Sequence, residues 1–246
     1  MEIKQLRDLT LISIDEKRYL GIACDSSGAI GMKECDVVKA SPQVTAYQTA
    51  KVVFSELFSM GFKPMVFADG LAVEMNDTGK QLIEGFNEAI SKLKTCQVHL
   101  TGSTEENMKT VQTSMGITCI GICDKDKLKY KKTNKNDICV VLGIPFVGND
   151  VLKNPDKIMD VPDFESLYLC DYVKEILPVG SRGIKKELND LLSYNNLNFE
   201  YNENISMDLT TSGGPSCCCL ISIDKSDLKN IKDLINKPIE VLGIFI

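Results

Sequence analysis

Three short polar segments that contain glycine follow or interrupt apolar runs in the first half of the chain. Residues 25–28 (DSSG) follow YLGIAC, residues 69–70 (DG) lie within MVFADGL, and residues 101–107 (TGSTEEN) follow QVHL. Glycine lets backbone N–H groups approach phosphate oxygens closely, and carboxylates bind the Mg²⁺ that neutralises those oxygens. A turn or a helix cap explains any one segment as well, but the three together favour a site for a nucleoside triphosphate with Mg²⁺. The chain has neither GxxxxGK[ST] nor GxGxxG after a strand, which excludes a P-loop or Rossmann nucleotide site.

Two segments of the second half also combine glycine with polar side chains. Residues 180–183 (GSRG) precede a helical pattern, and residues 210–216 (TTSGGPS) precede the apolar run CCCLISI. An arginine at a helix start suits an anionic or hydroxylated substrate. A surface arginine and a tight turn explain these segments equally well. The candidate substrate contacts are Ser181, Arg182, Ser212, Gly213 and Gly214.

Hydrophobic periodicity predicts an α/β fold. LTLISI and YLGIAC form a hairpin, helices are expected at residues 43–60 and 79–94, and MVFADGLAVE, QVHL and SMGITCIGIC are strands. This order predicts a mixed sheet with helices on one face. We expect residues 25–33 and 101–112 to form loops after strands, where α/β proteins place their sites.

A lysine-rich segment, residues 125–135, is interpreted as a solvated loop and marks the expected domain boundary. We therefore predict an N-terminal domain over residues 1–135 and a short C-terminal α/β domain over residues 136–246. In the second domain, ICVVLGI, LNFEY, CCCLISI and IEVLGIFI have strand patterns, while DFESLYLCDYV, GIKKELNDLL and SDLKNIKDLI have helical ones.

Composition argues against several classes of partner and chemistry. The net charge of −6 and the pI of about 5.0, without a cluster of Lys and Arg, disfavour nucleic-acid binding. No signal peptide or membrane-length apolar stretch is present, so we expect a cytoplasmic protein without a membrane partner. The ten cysteines, including Cys217, Cys218 and Cys219, are expected to be reduced core residues. His99 is the only histidine, which excludes a multi-histidine metal centre.

These segments, in this order, resemble the superfamily of aminoimidazole ribonucleotide (AIR) synthetase, called PurM-like. DSSGAIGMK resembles the early acidic glycine loop DGVGTK, and FSELFSMGFKP resembles a helix with an Asn-Asp pair that ends in Gly-Ala-x-Pro. FADGL resembles the next strand, which carries an Asp, and TGSTEEN resembles the GGET or GGDT loop. The resemblance implies an N-terminal ATP-binding domain that pairs in a homodimer, followed by a C-terminal α/β domain.

The chain departs from the family pattern at three places. The Asn-Asp pair is Ser55-Glu56 here, Thr101 and Ser103 replace a glycine and the acid of GGDT, and the C-terminal half is short. The strings DSSGAIG, DVVKASP, TGSTEENMKTVQT, EILPVGSRGI and SGGPS are similar to a compact subgroup that includes α-ribazole kinase. That resemblance implies ATP-dependent phosphorylation of the 5′-hydroxyl of α-ribazole, a nucleoside used to build the lower ligand of cobalamin.

The resemblance also implies roles for individual residues. The expected Mg²⁺ ligands are Asp25, Glu56 and Asp69, and Asp25 is also a catalytic candidate. Glu105, Glu106 and Asn107 are expected to orient the acceptor or a second metal ion. The expected ATP phosphate contacts are Ser26, Ser27, Gly28, Gly102, Ser103 and Thr104, together with Lys33 or Lys39.

Two other interpretations of the resemblance remain open. One is a different reaction of the superfamily, such as that of thiamine-phosphate kinase or of an AIR synthetase-like enzyme. The other is a nucleotide-binding maturation factor without catalytic activity. The hydrogenase maturation factor of this superfamily carries a cysteine at its C-terminus, whereas this chain ends in VLGIFI.

Overall fold

The computed structural model describes residues 2–246, which form two compact units. The first unit ends at Leu128 and the second is Lys129–Ile246, so the division falls a few residues before position 135. In the part of the chain that the structure describes, no helix combines the length and apolarity that a membrane crossing requires.

The first unit contains a six-stranded sheet in the order β1-β2-β3-β8-β6-β7, with two helices. The strands are β1 (Ile3–Leu6), β2 (Leu9–Ser13), β3 (Arg18–Gly28), β6 (Lys63–Leu71), β7 (His99–Thr104) and β8 (Ser114–Asp124). A small parallel pair outside this sheet consists of β4 (Ile30–Gly31) and β5 (Val38–Lys39). The helices are α1 (Pro42–Ser59) and α2 (Lys80–Ser91).

Strand direction brings three connections to one edge of this sheet. β8 runs antiparallel to both β3 and β6, and β7 runs parallel to β6. The carboxyl ends of β3, β6 and β7 therefore lie at the same edge. The segments that follow these strands are residues 29–40, 72–79 and 105–113.

Helix α1 has sequence signals at both ends and packs on one face of the sheet. The Ser41 side chain accepts a hydrogen bond from the Val44 N–H, and Gly61, at φ +89°, supplies the left-handed conformation that ends the helix. The ring of Phe67 on β6 packs against Phe54 of α1 and Phe86 of α2, with ring centroids 5.7 and 5.0 Å apart. The mixed sheet with helices on one face is confirmed.

The expectation that residues 25–28 and 101–104 form loops is wrong. Residues 25–28 continue β3 and pair with residues 114–117 of β8, while residues 101–104 continue β7 and pair with residues 68–71 of β6. Their small polar side chains and glycines suit a loop, but backbone pairing with the neighbouring strands outweighs that local preference. The candidate residues are therefore held by the sheet.

The second unit contains a five-stranded antiparallel sheet in the order β10-β12-β9-β13-β11. Its strands are β9 (Ile138–Leu142), β10 (Glu175–Pro178), β11 (Phe199–Tyr201), β12 (Cys219–Ile223) and β13 (Ile239–Phe245). Its helices are α3 (Asn149–Lys153), α4 (Val161–Tyr168), α5 (Gly183–Asn195) and α6 (Leu228–Leu234). Ile184, Leu188 and Leu191 of α5 pack in a core cluster with strand residues such as Val141 and Leu220.

The cysteines carry free thiols, and six of them are buried. Cys217, Cys218 and Cys219 are fully buried, which agrees with the prediction that they serve as small core residues. Only Cys219 belongs to β12; the other two precede the strand. Cys24 and Cys35 are exposed, unlike most of the set.

Candidate functional site

Two of the predicted acidic residues lie in one row across the first sheet. Asp25 of β3 and Asp69 of β6 both pair with Ile117 of β8, and Asp69 also pairs with Gly102 of β7. Paired residues in a sheet direct their side chains to the same face, here the face that packs against α1. Two strand spacings separate the Cα atoms of the two acids by about 10 Å. The structure thus places three segments that are distant in sequence beside one another.

The carboxyl group of Asp69 lies directly over Gly102. A Cβ built on Gly102 would stand 2.2 Å from both carboxylate oxygens, so no other residue fits there without displacing the acid. Burial raises the pKa of Asp69 to about 6, although the backbone amide of Ser103 acts in the opposite direction. The Asp69 carboxyl group is therefore desolvated, and it binds a proton more tightly than an exposed aspartate does.

Glu56 approaches the same region from helix α1. Burial, together with the negative charges of Asp8 and Asp25, raises the pKa of Glu56 to about 9. The Glu56 Oε2 atom is buried and has no hydrogen-bond partner among residues 2–246. Burial also raises the pKa of Asp25, which the Ser26 amide partly offsets. A buried carboxylate without a donor is costly, and a cation is the partner that would relieve that cost.

Asp25, Glu56 and Asp69 are compatible with one particular mode of Mg²⁺ binding. Among residues 2–246, no group of three or more His, Cys, Asp or Glu side chains is arranged to hold a metal ion. Mg²⁺ is usually held by one or two carboxylates together with substrate phosphates and water. The unpartnered oxygen of Glu56 and the desolvated acids Asp25 and Asp69 fit that mode, in which phosphate oxygens complete the coordination.

The structure divides the predicted phosphate contacts between two faces of the sheet. Because side chains alternate along a strand, Ser27 and Thr104 share the face of Asp25 and Asp69. Ser26 and Ser103 point to the opposite face, where they and Gly28 are exposed. Ser27 lies in the same register row as Thr104, and Ser26 lies in the same row as Ser103. Each face of the sheet therefore holds only part of the predicted phosphate contacts.

The acidic loop after β7 supplies caps for nearby backbone groups. Glu105 Oε1 accepts hydrogen bonds from the N–H groups of Asn107 and Met108, at 2.7 and 3.1 Å. Glu106 Oε1 accepts from the Thr104 hydroxyl at 2.8 Å and from the Met75 N–H at 2.9 Å. The Asn107 side chain is exposed. These bonds shape the loop and link it to the start of the α2 connection.

Lys33 and Lys39, the predicted phosphate contacts, donate hydrogen bonds to other groups of the protein. Lys33 Nζ donates to both carboxylate oxygens of Glu74, at 2.8 and 2.7 Å. Lys39 Nζ donates to the backbone carbonyls of Lys33 and Glu34, at 2.6 and 3.5 Å. Both lysines lie in the segment after β3, at the edge where the candidate strands end.

Two acids that sequence reasoning did not select organise this edge. The Asp36 carboxylate accepts from the Lys33 N–H, the Thr113 N–H and the Thr113 hydroxyl, each at 2.8 Å. Desolvation would raise the pKa of Glu74, but donors on Lys33, Thr78 and Thr110 outweigh it and lower the pKa to about 2. In the sequence, Glu74 shows only that it ends an apolar run. That position did not reveal that its carboxylate accepts hydrogen bonds from residues of other segments.

The two candidate segments of the second unit lie beside each other. The Gly213 N–H donates to the Gly180 carbonyl at 3.1 Å, and the Lys185 N–H donates to the Leu209 carbonyl at 2.8 Å. Ser181 and Arg182 are exposed at the start of α5, and Ser212 and Gly214 are half-buried. The structure thus brings together the residues that were selected separately as substrate contacts.

The fold of the chain matches solved structures of nucleotide-binding proteins. PurL from T. maritima, complexed with ATP, superposes with a TM-score of 0.66 at 13% identity, over 96% of this chain and 42% of that one. Thiamine-monophosphate kinase from Stenotrophomonas maltophilia K279a gives 0.66 at 15% identity, over 99% and 88% of the two chains. AaThiL complexed with AMPPCP and TMP gives 0.67 at 11% identity, over 97% and 84%. The fold is PurM-like.

A family match within the sequence agrees with this PurM-like fold. Residues 7–123 match the family model described as AIR synthase related protein, N-terminal domain. The match spans slightly less than half of the chain and includes Asp25, Glu56, Asp69 and Gly102. No curated protein matches the chain in sequence. The chain spans about two fifths of the length of the PurL chains that it matches.

Proposed function

We propose that this chain is an ATP- and Mg²⁺-dependent kinase of a small nucleoside-like alcohol, and that its acceptor is the 5′-hydroxyl of α-ribazole. The observation that carries the proposal is the row formed by Asp25, Asp69 and Gly102, with Glu56 beside it. The row collects acidic oxygen ligands from two strands on one face of the sheet. The PurM-like fold, which solved structures show with ATP, ADP and AMPPCP, supports the same conclusion.

The proposed reaction asks the protein for positioning and charge neutralisation. The acceptor oxygen forms a bond to the γ-phosphorus, the bond from that phosphorus to the β–γ bridging oxygen breaks, and ADP leaves. The proton of the acceptor hydroxyl passes to a carboxylate late in the transfer. Bound Mg²⁺ supplies neutralisation of the phosphate charge. One or two of the acids Asp25, Asp69 and Glu56 would hold it together with phosphate oxygens. Ser27 and Thr104 would contact phosphates on the same face, and Lys33 would contact a phosphate at the sheet edge.

A second candidate acceptor is thiamine phosphate. Two of the matched structures are a thiamine-monophosphate kinase and a protein complexed with TMP, and this chain covers 88% and 84% of them. The same row of acids would serve either acceptor, since both reactions would transfer the γ-phosphoryl group. The segments around Ser181, Arg182 and residues 212–214 are where the acceptors would be distinguished.

The chain is also proposed to act as a homodimer. On the face of the first sheet opposite α1, Ile22, Ile120 and Ile122 are only partly buried among the described residues. An apolar sheet face of this kind is a typical protein–protein contact.

ADP formation by the purified protein tests the proposal directly. ATP and Mg²⁺ are supplied with α-ribazole, thiamine phosphate or simple ribonucleosides, and the products are identified by mass spectrometry. We expect α-ribazole 5′-phosphate in amounts equal to the ADP formed. ATP should also raise the melting temperature with Mg²⁺ and much less with a chelator. Phosphorylation of thiamine phosphate alone would select the second candidate, and stabilisation by ATP without turnover of any acceptor would favour a nucleotide-binding factor.

A further inference from the structure

A single carboxylate joins the three connections that follow β3, β6 and β7. Glu74 lies after β6, Lys33 after β3 and Thr110 after β7. Besides the two bonds from Lys33 Nζ, Glu74 accepts from the Thr110 hydroxyl at 3.1 Å and from the Thr78 hydroxyl at 2.7 Å. The carboxylate thus receives four hydrogen bonds and connects the sheet edge where the candidate strands end.

We infer that Glu74 is a positioning residue that fixes the ammonium group of Lys33 for contact with a phosphate of ATP. The inference rests on the proposed function, because it requires that a nucleotide phosphate reaches this edge. A lysine side chain has four flexible bonds and loses considerable entropy when its ammonium group is held in one place. A carboxylate that already holds the group removes part of that loss from the binding step.

The geometry leaves one direction of the ammonium group weakly used. Two of its N–H directions serve the oxygens of Glu74, and the remaining contact is with the Thr110 carbonyl at 3.4 Å. A phosphate oxygen forms a much stronger charge-assisted bond than a carbonyl at that distance. Lys33 can therefore gain a phosphate contact without leaving Glu74.

The backbone around Glu74 is also held at both ends. The Gly79 N–H donates to the Glu74 carbonyl at 2.9 Å, and the Met75 N–H donates to Glu106 at 2.9 Å. Between them, Asp77 has φ 66° and ψ −75°, a strained conformation for a residue other than glycine. Such strain persists only where the surrounding structure fixes the segment. The segment therefore provides a rigid base for the Glu74 side chain.

Titration calorimetry of the full chain with Mg²⁺ and a non-hydrolysable ATP analogue tests this role. The proteins compared are the wild type, Glu74→Gln, Lys33→Met and the double variant, with Glu84→Gln, an exposed acid on α2, as the matched control. We expect Glu74→Gln to weaken binding roughly tenfold. The double variant should bind no worse than Lys33→Met, because Glu74 acts only through Lys33. A merely structural role would lower the melting temperature and leave the losses additive.

Each outcome decides a different statement. Unchanged or tighter binding by Glu74→Gln would overturn the positioning role, and tighter binding would show that Glu74 competes with phosphate for Lys33. Additive losses in the double variant would overturn it as well. Absence of analogue binding by the wild type would overturn the proposed function together with this inference. Should Glu74→Gln fail to fold, Thr110→Val removes one donor from the carboxylate, and we expect a smaller loss that again disappears in the Lys33→Met background.

Discussion

Asp25 of β3 and Asp69 of β6 stand in the same register row, because both pair with Ile117 of β8. Neither acid is placed by its own sequence neighbours; the strand between them sets their separation and the face that they share. A ligand that binds both acids would contact two strands on either side of a buried isoleucine. Substitutions of residues in this row therefore test the proposed site.

The Asp25→Asn variant tests whether turnover needs the negative charge of Asp25 or whether this residue matters only for folding. The amide keeps the size of the side chain and removes its negative charge, so the phosphoryl group would lose part of its metal-based neutralisation. We expect turnover to fall roughly a hundredfold or more, by analogy with the contribution of a bound metal. The melting temperature of the ligand-free protein should not fall, because burial disfavours the charged form of Asp25 and a neutral amide avoids that cost.

Asp124→Asn is the matched control for Asp25→Asn. Asp124 is an exposed residue at the opposite end of β8, and it pairs in register with Arg18. Its variant should retain normal turnover. Near-normal turnover by Asp25→Asn would remove Asp25 from the site.

Gly102→Ala tests whether the carboxyl group of Asp69 must lie over β7. The added Cβ would meet that carboxyl at 2.2 Å, so either the acid or the strand has to move. We expect a loss of stability of about 1–3 kcal/mol, typical of overpacking, and weaker binding of ATP with Mg²⁺. Gly116→Ala is the control, since a Cβ there has nothing within 4 Å. Equal behaviour of the two variants in thermal melting and nucleotide titration would contradict this account.

The sequence selected the candidate segments but did not predict their conformation. Apolar periodicity identified the strands and helices, and the polar glycine segments identified Asp25, Asp69 and Gly102 as one set. It did not predict that residues 25–28 and 101–104 continue their strands, because that depends on pairing with β8 and β6. Glu74 was missed for a similar reason: Lys33 and Thr110 lie in other segments, and only the folded sheet brings them to its carboxylate.

The homodimer prediction concerns the sheet face opposite α1. Ile22 lies in the middle of β3 and is partly buried on that face. We expect light scattering at micromolar concentration to give the mass of two chains, and Ile22→Lys to shift it towards one chain by placing a charge in the contact. The control is Leu169→Lys, at an exposed position just after α4 in the second unit. A monomeric wild type would count against the dimer.

Glu56→Gln should stabilise the ligand-free protein, and increasingly so as the pH rises. The pKa of Glu56 rises from its ordinary value of 4.5 to about 9 in the folded chain, so the folded state binds the proton more tightly than the unfolded state does. The stability that this group contributes is complete below pH 4.5 and is lost progressively as the pH rises towards 9. The loss is at most about 1.4 kcal/mol for each pH unit in that window. A neutral amide in place of the acid removes this dependence.

Melting temperatures of the wild type and Glu56→Gln between pH 5 and pH 9 measure the effect. We expect the two curves to converge near pH 5 and to separate as the pH rises, with about 2–4 °C for each kcal/mol. Burial also raises the pKa values of Asp25 and Asp69, but both proteins retain these acids, so the difference between the curves reports Glu56.

ATP with Mg²⁺ should narrow the gap between the two melting temperatures by stabilising the wild type more than the variant, because a bound cation favours the ionised carboxylate. A gap that does not change with pH would show that Glu56 is not a desolvated acid. An equal response of both proteins to ATP with Mg²⁺ would remove Glu56 from the metal site.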